Sequence, residues 1–198
     1  MTITEIRDLA RAYADRTDLP DTLLDNFLRI VEARIDKRLR IREQYSRAII
    51  KQVADQVYYG LPPDFADLRD IQVDGTTLEY VNPIQMNSIV AGTETVPGCS
   101  YTIIANQLQV WPITDQEEME IVYSSKLPAL TTKEPTNWLS LSSPDTYVFG
   151  LLVEINAYVK DPETGGVWEQ RFSAEVSSLS TADSKDRWSG SPLYVRLG

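Results

Sequence analysis

The segment SPDTYVFGLLVEINAYVK, residues 143–160, carries the strongest helix signal in the chain. Ser143 is a typical N-terminal cap, Pro144 suits the first helical position, and Asp145 places a negative charge in the first turn. The residues that follow are apolar on nearly every side. Such a helix must be covered by neighbours in several directions. We therefore predict a helix C over residues 144–160 at the centre of a helical bundle.

Three further helices are predicted on either side of this segment. Thr2 and Glu5 have the spacing of a capping box, which predicts helix A over residues 3–16. Helix B is predicted from residue 21 or 22 to residue 44, and helix D follows Asp161-Pro162 and ends near Trp188. The apolar stripe of helix B consists of Leu24, Phe27, Val31, Ile35 and Leu39.

Residues 50–127 have a different pattern, with β-branched and aromatic residues punctuated by turns. In IQVDGTTLEYV, residues 71–81, Asp74-Gly75 predicts a tight hairpin because these residues tolerate the positive φ of a primed turn. A second strand pair is predicted around Asn106-Gln107, a further strand at MEIVYSS, and a short helical turn capped by Asn82. The tyrosines predicted on strands are Tyr58, Tyr59, Tyr80, Tyr101 and Tyr123.

The predicted fold class is therefore α+β. Two long helices precede an inserted antiparallel β lobe, and two long helices follow it to complete a four-helix bundle. The predicted bounds are 1–49 and 128–188 for the helical domain, 50–127 for the β domain and 189–198 for a C-terminal arm. We see no internal repeat.

Composition places the chain among ordinary globular proteins. It has 198 residues, 42% hydrophobic and 24% charged residues, and one cysteine, so no internal disulfide is expected. No signal peptide is expected, and the longest apolar run, residues 147–153, is far shorter than the ~20 residues of a membrane span. The net charges of residues 1–50, 51–126 and 127–198 are +1, −8 and −3. This acidic middle argues against direct nucleic-acid binding there, because such binding rests on Lys and Arg.

The sequence lacks the residues that most common catalytic sites require. The chain has no histidine, which excludes histidine-based triads and His-ligated zinc, and it has no phosphate-binding glycine loop. Two clusters of acidic residues remain as candidates for chemistry. The first group is Asp115, Glu117, Glu118 and Glu120, and the second group is Asp64, Asp67 and Asp70. The first group could bind Mg²⁺ or Ca²⁺ or act as an acid/base pair, but its spacing matches no calcium loop, so we interpret it as a solvated turn. We interpret the second group as capping and turn residues after Pro62-Pro63. No catalytic residue, metal or cofactor is predicted.

A basic group lies late in helix B. Arg34, Arg38 and Arg42 share one helix face at i, i+4 and i+8 if the helix continues to residue 44. They form a candidate contact with DNA, with an acidic partner or with a neighbouring subunit, and an acidic protein surface is favoured because acids are interleaved with the cations. The alternative is that they pair with acids of the same helix and with its C-terminal dipole.

The C-terminal segment SGSPLYVRLG breaks the helix pattern and then turns apolar. Ordering ten residues costs on the order of 10–20 kcal/mol, which roughly balances the gain from burying its apolar side chains. We therefore expect this arm to become ordered on a partner. The candidate contact residues are Pro192, Leu193, Tyr194, Val195, Arg196 and Leu197. The alternative is that the arm folds back as an edge strand of its own β lobe.

Several stretches together resemble the adaptor, or head–tail connector, proteins of tailed bacteriophages. They are LPPDFADLRDIQVDG, PTNWLSLSSPDTYVFGLLVEINAYVKD, VWEQRF and DRWSGSPLYVRLG. The resemblance implies a structural virion protein that forms a ring, commonly of twelve subunits, between the capsid portal and the tail. It implies that the arm docks on the portal, that tail or nozzle proteins bind the far side, and that DNA passes through without specific binding. The implied location is the virion neck, after assembly in the host cytoplasm.

Two other functions fit the residues less closely. A carboxylate-based phage glycosidase would need two acids about 5–10 Å apart in one cleft. A receptor- or carbohydrate-binding module of the virion would need an exposed aromatic platform on the β lobe.

Overall fold

The structure, a computed structural model, describes residues 1–53, 55–94, 98–112 and 118–188. Within these residues it contains six α-helices and two four-stranded sheets, so the α+β class is confirmed. The chain divides into two compact units. The helical unit comprises Met1–Glu43 and the described residues from Leu127 onward, and the β unit comprises Gln44–Lys126.

The helices are α1 Ile3–Tyr13, α2 Asp21–Arg38, α3 Pro83–Val90, α4 Trp138–Ser142, α5 Pro144–Tyr158 and α6 Pro162–Trp188. The strands are β1 Tyr45–Lys51, β2 Tyr58–Gly60, β3 Phe65–Val73, β4 Thr76–Thr77, β5 Glu79–Tyr80, β6 Ser100–Ile104, β7 Gln107–Trp111 and β8 Glu118–Ser125. All helices except α3 belong to the helical unit, and all strands belong to the β unit.

The first helix begins as predicted. The Thr2 hydroxyl accepts from the Glu5 amide, and the Glu5 carboxylate accepts from the Thr2 amide at 2.8 Å, so the capping box is formed. The helix ends three residues earlier than predicted, at Tyr13. Asp15 follows with a φ of 51°, which a continuing right-handed helix does not allow.

The second helix is shorter than predicted, and this corrects the end of helix B. It ends at Arg38, because Leu39 adopts an extended conformation with φ −92° and ψ 129°. A 3-10 turn, Arg42–Gln44, then leads into β1. Residues 45–49, which the sequence analysis assigned to the helical domain, therefore lie in a strand.

Helix α5 is the centre of the helical core. It packs against α1, α2 and α6. Tyr147, Val148, Leu151, Leu152 and Ile155 are buried, Phe149 and Val153 are half-buried, and Tyr158 near its end is exposed. The predicted cap Ser143 makes no side-chain hydrogen bond; instead it lies between α5 and the short helix α4, which the sequence analysis missed. Asn137 caps α4 through a hydrogen bond from the Ser140 amide at 2.8 Å. None of the helices in the described part of the chain combines the length and apolarity that crossing a bilayer requires.

The β unit consists of two sheets that share one apolar core. The first sheet has the order β1-β8-β3-β4 and is antiparallel. The second has the order β2-β7-β6-β5, in which β5 runs parallel to β6. The prediction of a purely antiparallel lobe is therefore wrong at β5. Strands from both sheets contribute to the core, including Ile71 of β3, Leu108 of β7 and Met119 of β8.

The Asp74-Gly75 hairpin is confirmed. Both residues have positive φ, 48° and 73°, and Val73 pairs with Thr76 across the turn. The second arm is shorter than predicted because the chain leaves this sheet after Leu78, whose amide still donates to the Ile71 carbonyl at 3.0 Å. The Glu79 amide donates to the Cys99 carbonyl at 3.0 Å, so β5 joins the second sheet instead.

Of the other local predictions in the β unit, the second strand pair, the Asn82 cap and the MEIVYSS strand hold, whereas the length of the helix after Asn82 does not. Strands β6 and β7 form a hairpin in which Ile104 pairs with Gln107. Asn82 caps α3 by accepting from the Gln85 amide at 2.9 Å, and α3 is a helix of 8 residues rather than a single turn. The strand predicted at MEIVYSS is β8, which lies between β1 and β3.

Candidate partner-contact surfaces

Two of the candidate arginines lie together on α2. Arg34 and Arg38 are one turn apart, and their guanidinium carbons lie 4.8 and 5.8 Å from the centre of the Phe172 ring on α6. Arg34 donates to Glu154 of α5 at 3.0 Å and to Glu169 of α6. Arg38 lies 3.5 Å from Glu169. These two cations therefore connect α2 to both helices that follow the β unit.

Electrostatics in this cluster favour the charged forms. Burial alone lowers the pKa of Arg34, but the hydrogen bonds and charges of Glu169 and Glu154 outweigh burial and raise it. Burial likewise raises the pKa of Glu169, yet Arg34 holds the net pKa below its usual value. In this partly buried cluster of the helical unit, the opposite charges of the arginines and glutamates therefore offset the cost of burial.

The third arginine does not share the face of the other two. Arg42 follows the end of α2, so the predicted i, i+4, i+8 alignment with Arg34 and Arg38 is wrong. Its Nε donates at 2.7 Å to the buried carboxylate of Asp183 on α6. The side chains of Arg38 and Arg42 are each 45% exposed. A contact of these two residues with a partner remains a prediction.

The acids of the β unit have separate hydrogen-bond and ion-pair partners. Glu120 pairs across the strands with Arg47, and Glu118 lies 3.9 Å from Lys51. Asp115 and Glu117 lie outside the described residues. No group of three or more potential metal ligands comes together in the described part of the chain. Cross-strand pairs of this kind stabilise the pairing of β1 with β8.

The second acidic group is divided in the same way. Asp64 accepts from the Tyr123 hydroxyl at 3.0 Å, Asp67 lies 3.8 Å from Arg69, and Asp70 accepts from Gln72 at 2.6 Å. Each carboxylate has its own neighbour. The three do not converge on a shared ligand position. The predicted turn role holds for Asp64, but it is wrong for Asp67 and Asp70, which lie on β3.

The tyrosines of the β unit all lie on strands, as predicted. Tyr58 and Tyr80 are 47% and 59% exposed, but they lie on β2 and β5, the opposite edges of one sheet. Tyr80 meets Tyr101 edge-on with ring centres 5.7 Å apart. These rings therefore do not form the continuous flat platform that stacking against sugar rings uses.

A carboxylate clamp on α2, Glu32 and Asp36, holds the chain where it re-enters the helical unit. Glu32 accepts from the Leu130 amide and Asp36 accepts from the Leu127 amide, both at 2.8 Å. Burial, partly opposed by the hydrogen bond from Leu130, raises the pKa of Glu32 to about 7. Sequence periodicity gave no indication of this clamp because its partners are backbone amides about a hundred positions away.

A tyrosine hydroxyl lies beside the clamp. Asn137 donates to the Tyr147 hydroxyl and to the Pro128 carbonyl, both at 2.6 Å. Burial raises the pKa of Tyr147, and the nearby charges of Glu32 and Asp36 raise it further. This buried polar network fixes the loop between the last strand and α4.

Comparison with known protein families identifies the relationship. The model of the SU10 adaptor protein family matches residues 1–196, nearly the full length of the chain. The chain belongs to the SU10 adaptor protein family. No curated protein gives a significant match. The family places this adaptor among the structural components of bacteriophage virions, where it interacts with other virion proteins such as portal and tail.

Family membership changes how the surfaces of the adaptor are interpreted. A structural role calls for protein–protein contacts, and the adaptor exposes several large apolar side chains for them, among them Ile84 at 80% and Leu141 at 66%. Neither was singled out in the sequence, because a lone apolar residue in a short amphipathic segment has no distinguishing pattern. The predicted arm residues, Pro192 to Leu197, lie outside the described residues. Helix α6 continues to Trp188, directly before them.

Proposed function

We propose that the adaptor forms a ring in the virion neck, between the capsid portal and the tail, through which DNA passes. The observation that carries this proposal is the family match over residues 1–196. A structural role also agrees with the chemistry of the chain, which has no histidine and whose described residues bring no three potential metal ligands together. We propose twelve subunits, as in related connectors.

We propose that α1, α2, α5 and α6 form the four-helix bundle of the adaptor, with the β domain inserted between α2 and α5. The packing of α5 against each of the other three helices supports this arrangement. In a closed ring each subunit uses two different patches, one for each neighbour. The half-exposed Arg38 and Arg42 are candidates for one of these patches.

The C-terminal arm, residues 189–198, is proposed as the portal-binding element, with Pro192, Leu193, Tyr194, Val195, Arg196 and Leu197 as contacts. Its apolar residues follow a turn-forming Ser-Gly-Ser-Pro, and α6 directs the chain into it. A short arm repeated around a ring gains strength from avidity. Its attachment therefore depends on ring formation as well as on the individual contact.

DNA is proposed to pass the adaptor without specific binding. The net charge is −10, and residues 51–126 carry most of it. An acidic surface repels phosphate and offers few of the cations that hold nucleic acid. The tail or nozzle proteins are proposed to bind the side of the ring opposite the portal.

The test of the proposal is deletion of residues 189–198 followed by a binding assay and electron microscopy with the candidate portal. We expect the full-length adaptor to form a ring on the portal and the shortened adaptor to lose it. A double substitution in the β unit, Arg47→Ala with Lys51→Ala, is the matched control and should leave ring attachment intact. Attachment of the shortened adaptor at full strength would contradict the role given to the arm.

The glycosidase alternative has less support, because the described acids of the two groups singled out in the β unit have separate neighbours. The receptor-binding alternative predicts that the arm is dispensable, so the same deletion distinguishes it from the connector.

A further inference from the structure

A small cleft lies in the helical unit beside the last turns of α6. Its volume is about 200 Å³. Its apolar wall consists of Ile41, Trp138, Leu179 and Ala182, and its polar rim consists of Glu43, Ser142 and Asp183. Such a volume accommodates one or two aliphatic side chains rather than a large ligand.

The wall of the cleft belongs to the edge of the helical core. Trp138 and Leu179 are half-buried and pack against that core, whereas Ala182 is exposed. Leu141, on the same short helix as Trp138, is 66% exposed. The cleft therefore continues the core outward to a surface that retains apolar character.

We propose that this cleft binds residues 193–197 of the same chain. The cleft residues Leu179, Ala182 and Asp183 precede the end of α6 at Trp188 by five to nine positions, which is ~8–14 Å along a helix. Ser189 to Pro192 is a turn-forming sequence that suits a reversal of direction. Five extended residues then span ~13–17 Å, so the arm reaches back over the length of the cleft.

The side-chain pattern of the arm fits one apolar wall. In an extended chain alternate residues point to the same side, so Leu193, Val195 and Leu197 share a side, opposite Tyr194 and Arg196. The first group suits the wall of Ile41, Trp138 and Leu179. The second group is directed toward the rim.

Charge at the rim matches as well. Among residues 189–197, Arg196 is the sole charged residue. Among the side chains that the structure describes, which end at residue 185, Glu43 has no ion-pair partner, and in this proposal Arg196 supplies the opposite charge. A long arginine side chain can run along an apolar surface and keep its charged end at the rim.

This contact regulates the portal arm, and that part of the inference rests on the proposed function. Residues held in the cleft are not free for the portal, so the observed affinity for the portal is reduced by the fraction of chains in the open state. The cleft thus covers the apolar arm before assembly. Once a ring of adaptors sits on the portal, the high local concentration of portal sites competes with the cleft and binds the arm.

The test is amide hydrogen exchange of residues 193–197 in the purified full-length chain. Ala182→Trp fills the cleft from an exposed helix position, and Thr181→Trp, at the neighbouring exposed position, is the matched control. We expect exchange about tenfold slower in the unmodified chain and in Thr181→Trp than in Ala182→Trp. Equal exchange in all three chains would overturn the proposal.

A second pair of variants leaves the folded unit untouched. Leu197→Asp, on the side facing the cleft, should accelerate exchange of the arm, whereas Tyr194→Asp, on the opposite side, should not. Protection that increases with protein concentration would also overturn the proposal, because it would show the arm bound to a second copy.

Portal binding separates this inference from the proposed function. If the portal takes the arm, Ala182→Trp should bind it several-fold more tightly than the unmodified chain does. Slow exchange with no portal binding by either protein would refute the arm's proposed portal role and leave the cleft contact standing.

Discussion

Gly150 of α5 lies directly against Val31 of α2. A Cβ atom built on Gly150 would be 2.5 Å from Val31 Cγ1 and 3.2 Å from Phe172 Cε2 of α6. The two helices therefore approach each other at a point where no side chain fits. This close approach explains why the otherwise bulky and apolar α5 contains a glycine in its middle.

We predict that Gly150→Ala destabilises the helical unit by about 1–2 kcal/mol. Overpacking costs roughly 1–3 kcal/mol, and the better helix propensity of alanine returns up to about 1 kcal/mol. Val31 is β-branched and buried, so it has little freedom to turn away. Urea unfolding measures the change.

Gly166→Ala is the matched control for Gly150→Ala. Gly166 lies on α6, and a Cβ there would have no heavy atom within 4 Å. Alanine at this position should stabilise the protein by about 0.5–1 kcal/mol. Equal effects of the two substitutions would contradict the close approach of α2 and α5.

Glu32→Gln is predicted to change the pH dependence of stability. The folded pKa of about 7 exceeds the usual 4.5, so the folded state retains a proton that the unfolded state loses. The contribution of Glu32 to the free energy of unfolding is complete below pH 4.5 and is lost as the pH rises to 7. Glutamine stays neutral and keeps the oxygen that accepts from Leu130.

The difference in unfolding free energy between Glu32→Gln and the unmodified protein should therefore increase by about 2–3 kcal/mol from pH 4.5 to pH 8, in favour of the variant. Denaturant unfolding at several pH values measures this difference. The contributions of the other titrating groups are common to both proteins and therefore cancel. Glu134→Gln removes a carboxylate from an exposed position in the same unit and is the matched control. A constant difference for Glu32→Gln would refute the raised pKa.

Arg34→Ala is predicted to cost about 1–3 kcal/mol. It leaves Glu154 and Glu169 close together without their shared cation, and both carboxylates are partly withdrawn from water. Thermal unfolding of Arg34→Ala, of Glu154→Ala and of the double variant, each compared with the unmodified protein, measures the coupling between the two residues. A coupling energy near zero would contradict the ion pair.

Arg16→Ala provides the comparison for Arg34→Ala. Arg16 forms an ion pair with Asp18 at 2.7 Å, but both side chains are well exposed. Exposed pairs of this kind contribute about 0–1 kcal/mol. We expect a change much smaller than that of Arg34→Ala, and it should shrink further at high salt.

Gly75→Ala is predicted to destabilise the β unit by about 1–2 kcal/mol, because alanine is strained at the φ of +73° that the turn requires. Gly60→Ala is the control, since Gly60 lacks a positive φ and a Cβ there would be unobstructed. Chemical denaturation followed by a probe in the β unit measures both. A Gly75→Ala protein as stable as Gly60→Ala would contradict the primed turn.

The features that sequence predicted well are those determined by adjacent residues. The Thr2–Glu5 capping box, the Asp74-Gly75 turn and the Asn82 cap each need only a few neighbouring positions. Their hydrogen-bonding groups and backbone preferences are the same in any fold. The family resemblance likewise rested on contiguous stretches of sequence.

The features that sequence missed depend on distant partners. The run IDKRLRIREQ continues a helical pattern past Arg38, but Leu39 is extended and β1 begins at Tyr45 to pair with β8. Likewise, β5 leaves the hairpin for a parallel partner that lies about twenty residues further on. Tertiary pairing overrides local preference in both places.

The candidate arginine surface shows the same contrast between local and distant determinants. Sequence singled out Arg34, Arg38 and Arg42, but it sought their partners within the same helix. Their observed acids lie on α5 and α6, more than a hundred residues away. No periodicity within α2 encodes that distance.

The position of β8 between β1 and β3 has a consequence for biosynthesis. The central strand of this sheet is the last one to leave the ribosome, so β1 and β3 must wait without a common partner while the intervening residues are translated. The sheet can therefore form only after β8 has been synthesised, long after β1 has left the ribosome. The unpaired edges of β1 and β3 are prone to aggregation during that interval. A slower rate of translation between residues 51 and 118 would lengthen the delay and lower the yield of soluble protein.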